Sequence, residues 1–215
     1  MGVPVIVYGK SGSGKTRSLK NFQEDEILYF NVEKKMLPFK KKFTYTAKTE
    51  NVDTILNQLS KMPVKTAVID DSTYLMVNHF MREHGKGLKG NAVFDLYNQI
   101  ADKIWKIFEH IKNNLPEDVI VYIIMHEDSN DYGETRIRTI GKLLDDKVMP
   151  EGIVTICIRC ISKDGKHFFR TKTDGNDITK TPEDMFEADE IENDLKSVDI
   201  IIRDYYGFTS TEKED

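Results

Sequence analysis

The chain has 215 residues, of which 39% are hydrophobic and 31% charged, and its formal net charge is −5. This composition suits a globular domain with a sizeable core, and no apolar run is long enough to span a membrane. The negative total argues against a protein that simply coats nucleic acid, which is usually basic.

Val3-Pro4-Val5-Ile6-Val7-Tyr8 is a β-branched, apolar run that reads as a buried first strand. It begins so early that no signal peptide fits before it, which predicts a cytoplasmic location. The strand leads into Gly9-Lys10-Ser11-Gly12-Ser13-Gly14-Lys15-Thr16, a full match to G-x-x-x-x-G-K-[ST]. Such a loop turns successive backbone N–H groups toward phosphate oxygens. Gly9, Gly12 and Gly14 are expected at backbone angles that a Cβ would forbid. Lys15 is placed to reach the β/γ-phosphates and the Thr16 hydroxyl to bind Mg²⁺. Thr16 to Phe22 reads as the first turns of a helix, with its positive end at the anion.

Ile27 to Val32 reads as a second strand, Val52 to Lys61 as an amphipathic helix, and Thr66 to Asp70 as a third strand. A glycine-rich basic loop at 85–90 precedes a long helix from an Asn91 cap to about Asn114. Asp118 to Met125 reads as the fourth strand, Ile153 to Ile161 as the fifth, and His167 to Thr171 as its partner across a Lys163–Lys166 turn. This alternation predicts an α/β fold: a mostly parallel central sheet flanked by helices, with an antiparallel edge hairpin. One domain is expected over 1–207, followed by a mobile acidic tail at 208–215.

Charge is uneven along the chain. Residues 34–48 hold six lysines and no acid, whereas 183–194 hold seven acids and no base. Cys157 and Cys160 form a C-x-x-C pair, but no second Cys or His pair accompanies them as a zinc site requires. Three apart on a strand, they are expected on opposite faces as ordinary thiols.

Thr66-Ala67-Val68-Ile69-Asp70-Asp71 has the form of a Walker B strand, in which Asp70 holds Mg²⁺ opposite Thr16. Hydrolysis also needs a group that orients or deprotonates water. Glu33, just past the second strand, is preferred to Asp71 for this, provided that strand lies beside the phosphate-loop strand or its partner. His126 ends the fourth strand, at the edge where ligands bind, and suits a γ-phosphate sensor.

Together these residues resemble a RecA-type ATPase core. The resemblance rests on Gly9–Thr16, Val32-Glu33, Val68-Ile69-Asp70-Asp71 and His126. The whole chain is more similar still to small phage-encoded RecA-like P-loop ATPases, known as AAA-type ATP-binding proteins or Sak-type single-strand annealing proteins. Thr139–Lys147, Thr171–Asp177 and Thr181–Phe186 resemble segments of that family, and the similarity covers most of residues 1–190. It implies Glu33 as the catalytic glutamate, ATP and Mg²⁺ as cofactors, and single-stranded DNA and a homo-oligomer as partners. A single-strand-binding or replication protein is a further implied partner, in a bacterial host's cytoplasm.

The resemblance also implies two DNA-binding loops, at Glu83–Gly90 and Glu127–Thr139. Lys86, Lys89, Arg136 and Arg138 are their candidate phosphate contacts. It further implies that Arg170, pointing the same way as Lys172 on a late strand, reaches a neighbouring subunit's γ-phosphate. The chain departs from bacterial RecA in having His126 where RecA has glutamine, and in lacking a separate N-terminal polymerisation domain. Two other functions share the phosphate loop: a nucleotide or nucleoside kinase, and a non-hydrolysing ATP switch that recruits a replication partner. The kinase reading lacks an arginine-rich lid pattern, since only Arg136 and Arg138 pair in a loop.

Overall fold

A computed structural model describes residues 1–141, 143–144 and 148–208. The predicted tail at 208–215 lies outside the described residues except for Phe208, as do Lys142 and 145–147 of the family-like segment.

Six strands run parallel: β1 (Val3–Gly9), β2 (Ile27–Asn31), β3 (Tyr45–Ala47), β4 (Thr66–Asp70), β5 (Ile120–Ser129) and β7 (Ile156–Lys163). β8 (Lys166–Arg170) and β9 (Glu190–Glu192) extend the sheet antiparallel, and β6 (Thr135–Ile137) folds back on the end of β5. The order across the sheet is β3-β2-β4-β5-β1-β7-β8-β9. The predicted architecture, a mostly parallel sheet with an antiparallel edge hairpin, is therefore correct. In the β7–β8 turn Asp164 and Gly165 both take positive φ (50° and 73°), the geometry of a tight two-residue hairpin.

The β-branched runs of β1, β4 and β5 are buried because helices cover both faces. Ile6, Tyr8, Ile69, Val121 and Ile123 pack on one face, against α1 (Val52–Leu59), α2 (Thr73–Glu83) and α3 (Asn91–Asn114). Val5, Val7, Val68, Tyr122 and Ile124 pack on the other, against α5 (Leu195–Tyr206), Leu19, Phe22 and Phe43. Cys157 lies in the first core and Cys160 in the second, so the two thiols cannot share a metal. A four-residue helix, α4 (Pro150–Ile153), precedes β7. No described helix is long and apolar enough to cross a membrane.

Three local expectations need correction. Thr16–Asn21 is a 3-10 helix, not the start of an α-helix. The Ser18 hydroxyl bonds the Lys15 carbonyl at 2.6 Å, competing with the helical ladder, and Phe22 turns extended to bury its ring. Asn91 lies inside α3 rather than capping it; the cap is Gly90, at φ 57°. β8 ends at Arg170, so Lys172 lies beyond the strand.

Candidate active site

The parallel strands deliver their C-terminal ends to a cleft of about 450 Å³. Ser11, Gly12, Gly14, Lys15 and Thr16 form its floor, and Asp70, Asp71 and His126 stand along it. The register Gly9↔His126 sets His126 directly beside the start of the loop; β5 runs on to Ser129, so His126 lies three residues before the strand's end instead of ending it as expected.

The loop is shaped by two different needs for glycine. Gly12 and Gly14 have φ of 78° and 101°, which only glycine adopts readily. Gly9 has no such backbone angle; a Cβ there would fall 2.4 Å from the Cys160 carbonyl oxygen. Its requirement is space against β7, which corrects the conformational reason expected for it. Lys15 Nζ donates to the Gly9 and Lys10 carbonyls at 2.7 and 2.8 Å, so the ammonium arches over the loop. Burial pulls the Lys15 pKa down from its ordinary value. The Ser13 hydroxyl is buried without a hydrogen-bond partner. Because the following helix is a short 3-10 segment, the cradle consists chiefly of loop N–H groups and Lys15.

Asp70 and Asp71 are adjacent in sequence and opposite in state. Val68 and Asp70 alternate with Ile69, so Asp70 points to the same face as Thr16 and Tyr29. Its carboxylate accepts hydrogen bonds from Thr16 Oγ1 (3.1 and 3.0 Å), Tyr29 OH (2.8 Å) and the Asp71 amide (3.0 Å). Burial, reinforced by the charge of Asp71, nonetheless pushes the Asp70 pKa up to about 6. Asp71 has φ 57° and accepts from Lys35 Nζ at 2.7 Å. His126 Nε2 lies 3.3 Å from Asp71 Oδ1, within ion-pair range but off the line of a hydrogen bond. Burial opposes charge on Asp71, but His126 and Lys35 outweigh it and hold the pKa at about 2. The His126 amide donates to Thr73 Oγ1 and its ring meets Tyr74 edge-on, which fixes the imidazole at the cleft.

Glu33 does not line the cleft. β4 and β5 separate β2 from β1, so the condition that would have brought Glu33 to the phosphates is not met. Its carboxylate accepts from Asn78 Nδ2 at 2.8 Å instead. Arg170 also lies away from the cleft. Its guanidinium pairs with Asp174, with Asp177 (3.6 Å) and with Glu190 (3.3 Å), so it is engaged within its own chain rather than presented to a neighbour. Lys172 pairs with Asp189 at 3.3 Å.

The first DNA-loop candidate is the end of α2, a 3-10 turn (His84–Lys86) and the glycines at 87 and 90. Lys86 pairs with Glu83 at 2.9 Å, and Lys89 is exposed. The second candidate is a β5–β6 hairpin rather than a loop, with Arg136 and Arg138 both exposed. The Arg138 amide donates to the His126 carbonyl at 2.8 Å, tying the hairpin to the cleft strand. Tyr97 of α3 stacks on Phe80 of α2 and sits against Gly141.

Residues outside the motifs complete the cleft. Tyr29, Lys35, Phe39 and His167 line it. His167 Nδ1 donates to the Ser13 carbonyl at 2.8 Å, and its ring occupies the space a Gly14 Cβ would need. That contact depends on the β7–β8 register and has no signal in local sequence. The lysine run did mark Lys35, but only as one of six.

Hard oxygen donors at Thr16 and Asp70 suit Mg²⁺. The described residues hold no cluster of three or more His, Cys, Asp or Glu that could hold a metal ion, so phosphate oxygens and water would have to complete the set. The buried Ser13 hydroxyl and His126 Nε2, neither with a hydrogen-bond partner though Nε2 lies 3.3 Å from Asp71, are likewise poised for an incoming polar ligand.

No curated protein matches the chain. An AAA domain family model, AAA_24, matches residues 1–185, which include every strand from β1 to β8. The chain belongs to this AAA domain family and is a nucleotide-binding P-loop domain of the ATPase type.

Proposed function

We propose that the protein binds ATP with Mg²⁺ and hydrolyses it, and that it acts on single-stranded DNA as a Sak-type, phage-encoded annealing or pairing protein. The observation that supports hydrolysis best is the placement of two acids beside the phosphate loop, Asp70 bonded by Thr16 and Tyr29 and Asp71 set against Lys35 and His126.

In this reading, loop N–H groups from Gly9 to Thr16 hold the phosphates, and Lys15 swings from its carbonyl partners onto the β/γ oxygens. Thr16 and Asp70 would hold Mg²⁺, which would neutralise charge on the phosphate oxygens. Asp70 would offer the metal its carboxylate above about pH 6, with Thr16 and Tyr29 keeping it aimed. Asp71 takes the role first assigned to Glu33. With a pKa of about 2 it is a weak base but a permanent acceptor, so it orients the attacking water more than it deprotonates it. His126 Nε2 reads the terminal phosphate. Loss of that contact passes to the β5–β6 hairpin through the bond from the Arg138 amide to the His126 carbonyl.

Lys89, Arg136 and Arg138 are the proposed DNA phosphate contacts, with Lys86 joining them only if its pair with Glu83 opens. Oligomerisation and a replication partner belong to the same reading. ATP turnover with and without single-stranded DNA, at two salt concentrations, tests it. DNA should raise turnover, and the stimulation should shrink as salt rises. A rate unmoved by DNA would remove the DNA part and leave the ATPase. The displacement of Glu33 from the cleft favours one second reading, an ATP switch with negligible turnover; binding without hydrolysis would establish it.

A further inference from the structure

We infer that Lys35 is a phosphate-contacting cation, supplied by the β2–β3 segment of the same chain and directed at the terminal phosphate of a bound triphosphate. The inference rests on the ATP reading above. Three observations carry it.

First, Lys35 lines the cleft together with Lys15, Thr16, Asp71 and His126. Its Nζ lies 2.7 Å from Asp71 Oδ2 and 4.9 Å from the centre of the Tyr74 ring. This is the end of the cleft where Asp71 and His126 meet. Second, its backbone is held. Asn31 is buried at the end of β2, in register with Asp70, and its amide clamps both sides of Lys35. Asn31 Nδ2 donates to the Lys35 carbonyl at 2.7 Å, and the Lys35 amide donates to Asn31 Oδ1 at 3.1 Å. Lys34, at φ 56°, makes the turn that this clamp closes. No other lysine of the 34–48 run is fixed to a cleft strand through its own backbone in this way among the described contacts.

Third, the pair that Lys35 now makes is easily exchanged. Its side chain is 56% exposed, and an ion pair so open to water contributes little. A terminal phosphate carries more charge than one carboxylate and more acceptor oxygens. The ammonium can therefore pass from Asp71 to the phosphate by a rotation of its own stem, with no backbone movement. In the triphosphate state it would offset charge spreading over the transferring phosphoryl oxygens, the work an arginine finger does in related chemistry. Arg170, paired to its own carboxylates, is not free to do this without breaking three ion pairs. A cation supplied in cis makes turnover independent of a second subunit.

The test compares ATP and ADP affinity in the full-length wild type, Lys35→Met and Lys35→Arg, by calorimetry with Mg²⁺, alongside turnover. Methionine keeps the stem against Tyr74 and removes only the charge, and melting curves confirm folding. The expected result is a rise of about tenfold or more in the ATP dissociation constant for Lys35→Met, with ADP unchanged within twofold. Turnover should fall by at least about tenfold and recover in part with Lys35→Arg. A Lys35→Met protein that discriminates ATP from ADP as the wild type does overturns the inference alone. A lysine that merely shielded Asp71 would give that result. A wild type that binds neither nucleotide overturns the ATP reading, and this inference with it.

Discussion

Two groups of charged side chains lie at the C-terminal edge of the sheet, and they differ in one respect. In the phosphate cleft, polar atoms are left over: Ser13 Oγ and His126 Nε2 are buried without hydrogen-bond partners, and Lys15 bonds only its own loop. In the cluster around Arg159, the pairing is complete. Arg159 makes a two-pronged bond to Glu127 (2.9 and 3.0 Å) and reaches Asp177 at 3.2 Å and Thr135 at 3.1 Å, while Arg170 approaches the same Asp177 oxygen at 3.6 Å. Incomplete pairing marks a place prepared for a ligand, and complete pairing marks a place that holds the fold. The difference explains why Arg170, a finger candidate by family resemblance, belongs with the structural set.

The largest effect is expected in the cleft. Lys15→Ala should lower turnover by about a thousandfold or more while leaving the melting temperature close to wild type, because it removes a transition-state contact that carries no fold contact beyond two loop carbonyls. Steady-state kinetics and calorimetry check both halves. The reverse pattern is expected in the other cluster. Arg159→Ala strands Glu127, whose side chain is 3% exposed, and leaves the buried Asp177 only the longer contact to Arg170, and should cost about 3 kcal/mol of stability by denaturant titration. Its ATP affinity should stay within a few-fold of wild type. A stable Arg159→Ala protein that had lost ATP binding would dissolve the distinction between the two regions.

A smaller effect follows from the raised pKa of Asp70. A carboxyl that holds its proton up to about pH 6 must release it for Mg²⁺ to bind. Apparent Mg²⁺ affinity is therefore level above pH 6 and falls by about tenfold per unit below it. The charge of Asp71 contributes to that raised value, so Asp71→Asn should move the break to lower pH. Metal titrations across pH, corrected for protonation of the nucleotide itself, give the break point directly.

The fold and the floor of the cleft were legible because they depend on local signals. The run Val3–Tyr8, the glycine spacing of Gly9–Thr16 and the Asp70-Asp71 ending each carry their meaning within a few residues. The rim was not legible, because it depends on strand order. Glu33 and Asp71 both follow strands with an acid, and only the insertion of β4 and β5 between β1 and β2 decides which one lines the cleft. His167 and Tyr29 reach the cleft through register across the sheet, which single-sequence patterns do not encode. The 3-10 segment at Thr16–Asn21 escaped notice because a single hydroxyl, that of Ser18, tips the balance against an α-helix. α5 carries Leu195, Val198 and Ile202 at helical spacing behind an Asp194 cap, a readable signal that the adjoining acidic run obscured.

The most direct test of the account is Asp71→Asn, assayed for ATP binding and for single-turnover hydrolysis. Asp71 is the one cleft acid proposed to act on water and not on the metal. The variant should bind Mg²⁺-ATP within about threefold of wild type and hydrolyse it about a hundredfold more slowly. Hydrolysis at the wild-type rate, with Glu33→Gln inactive instead, would contradict it and return the catalytic role to Glu33.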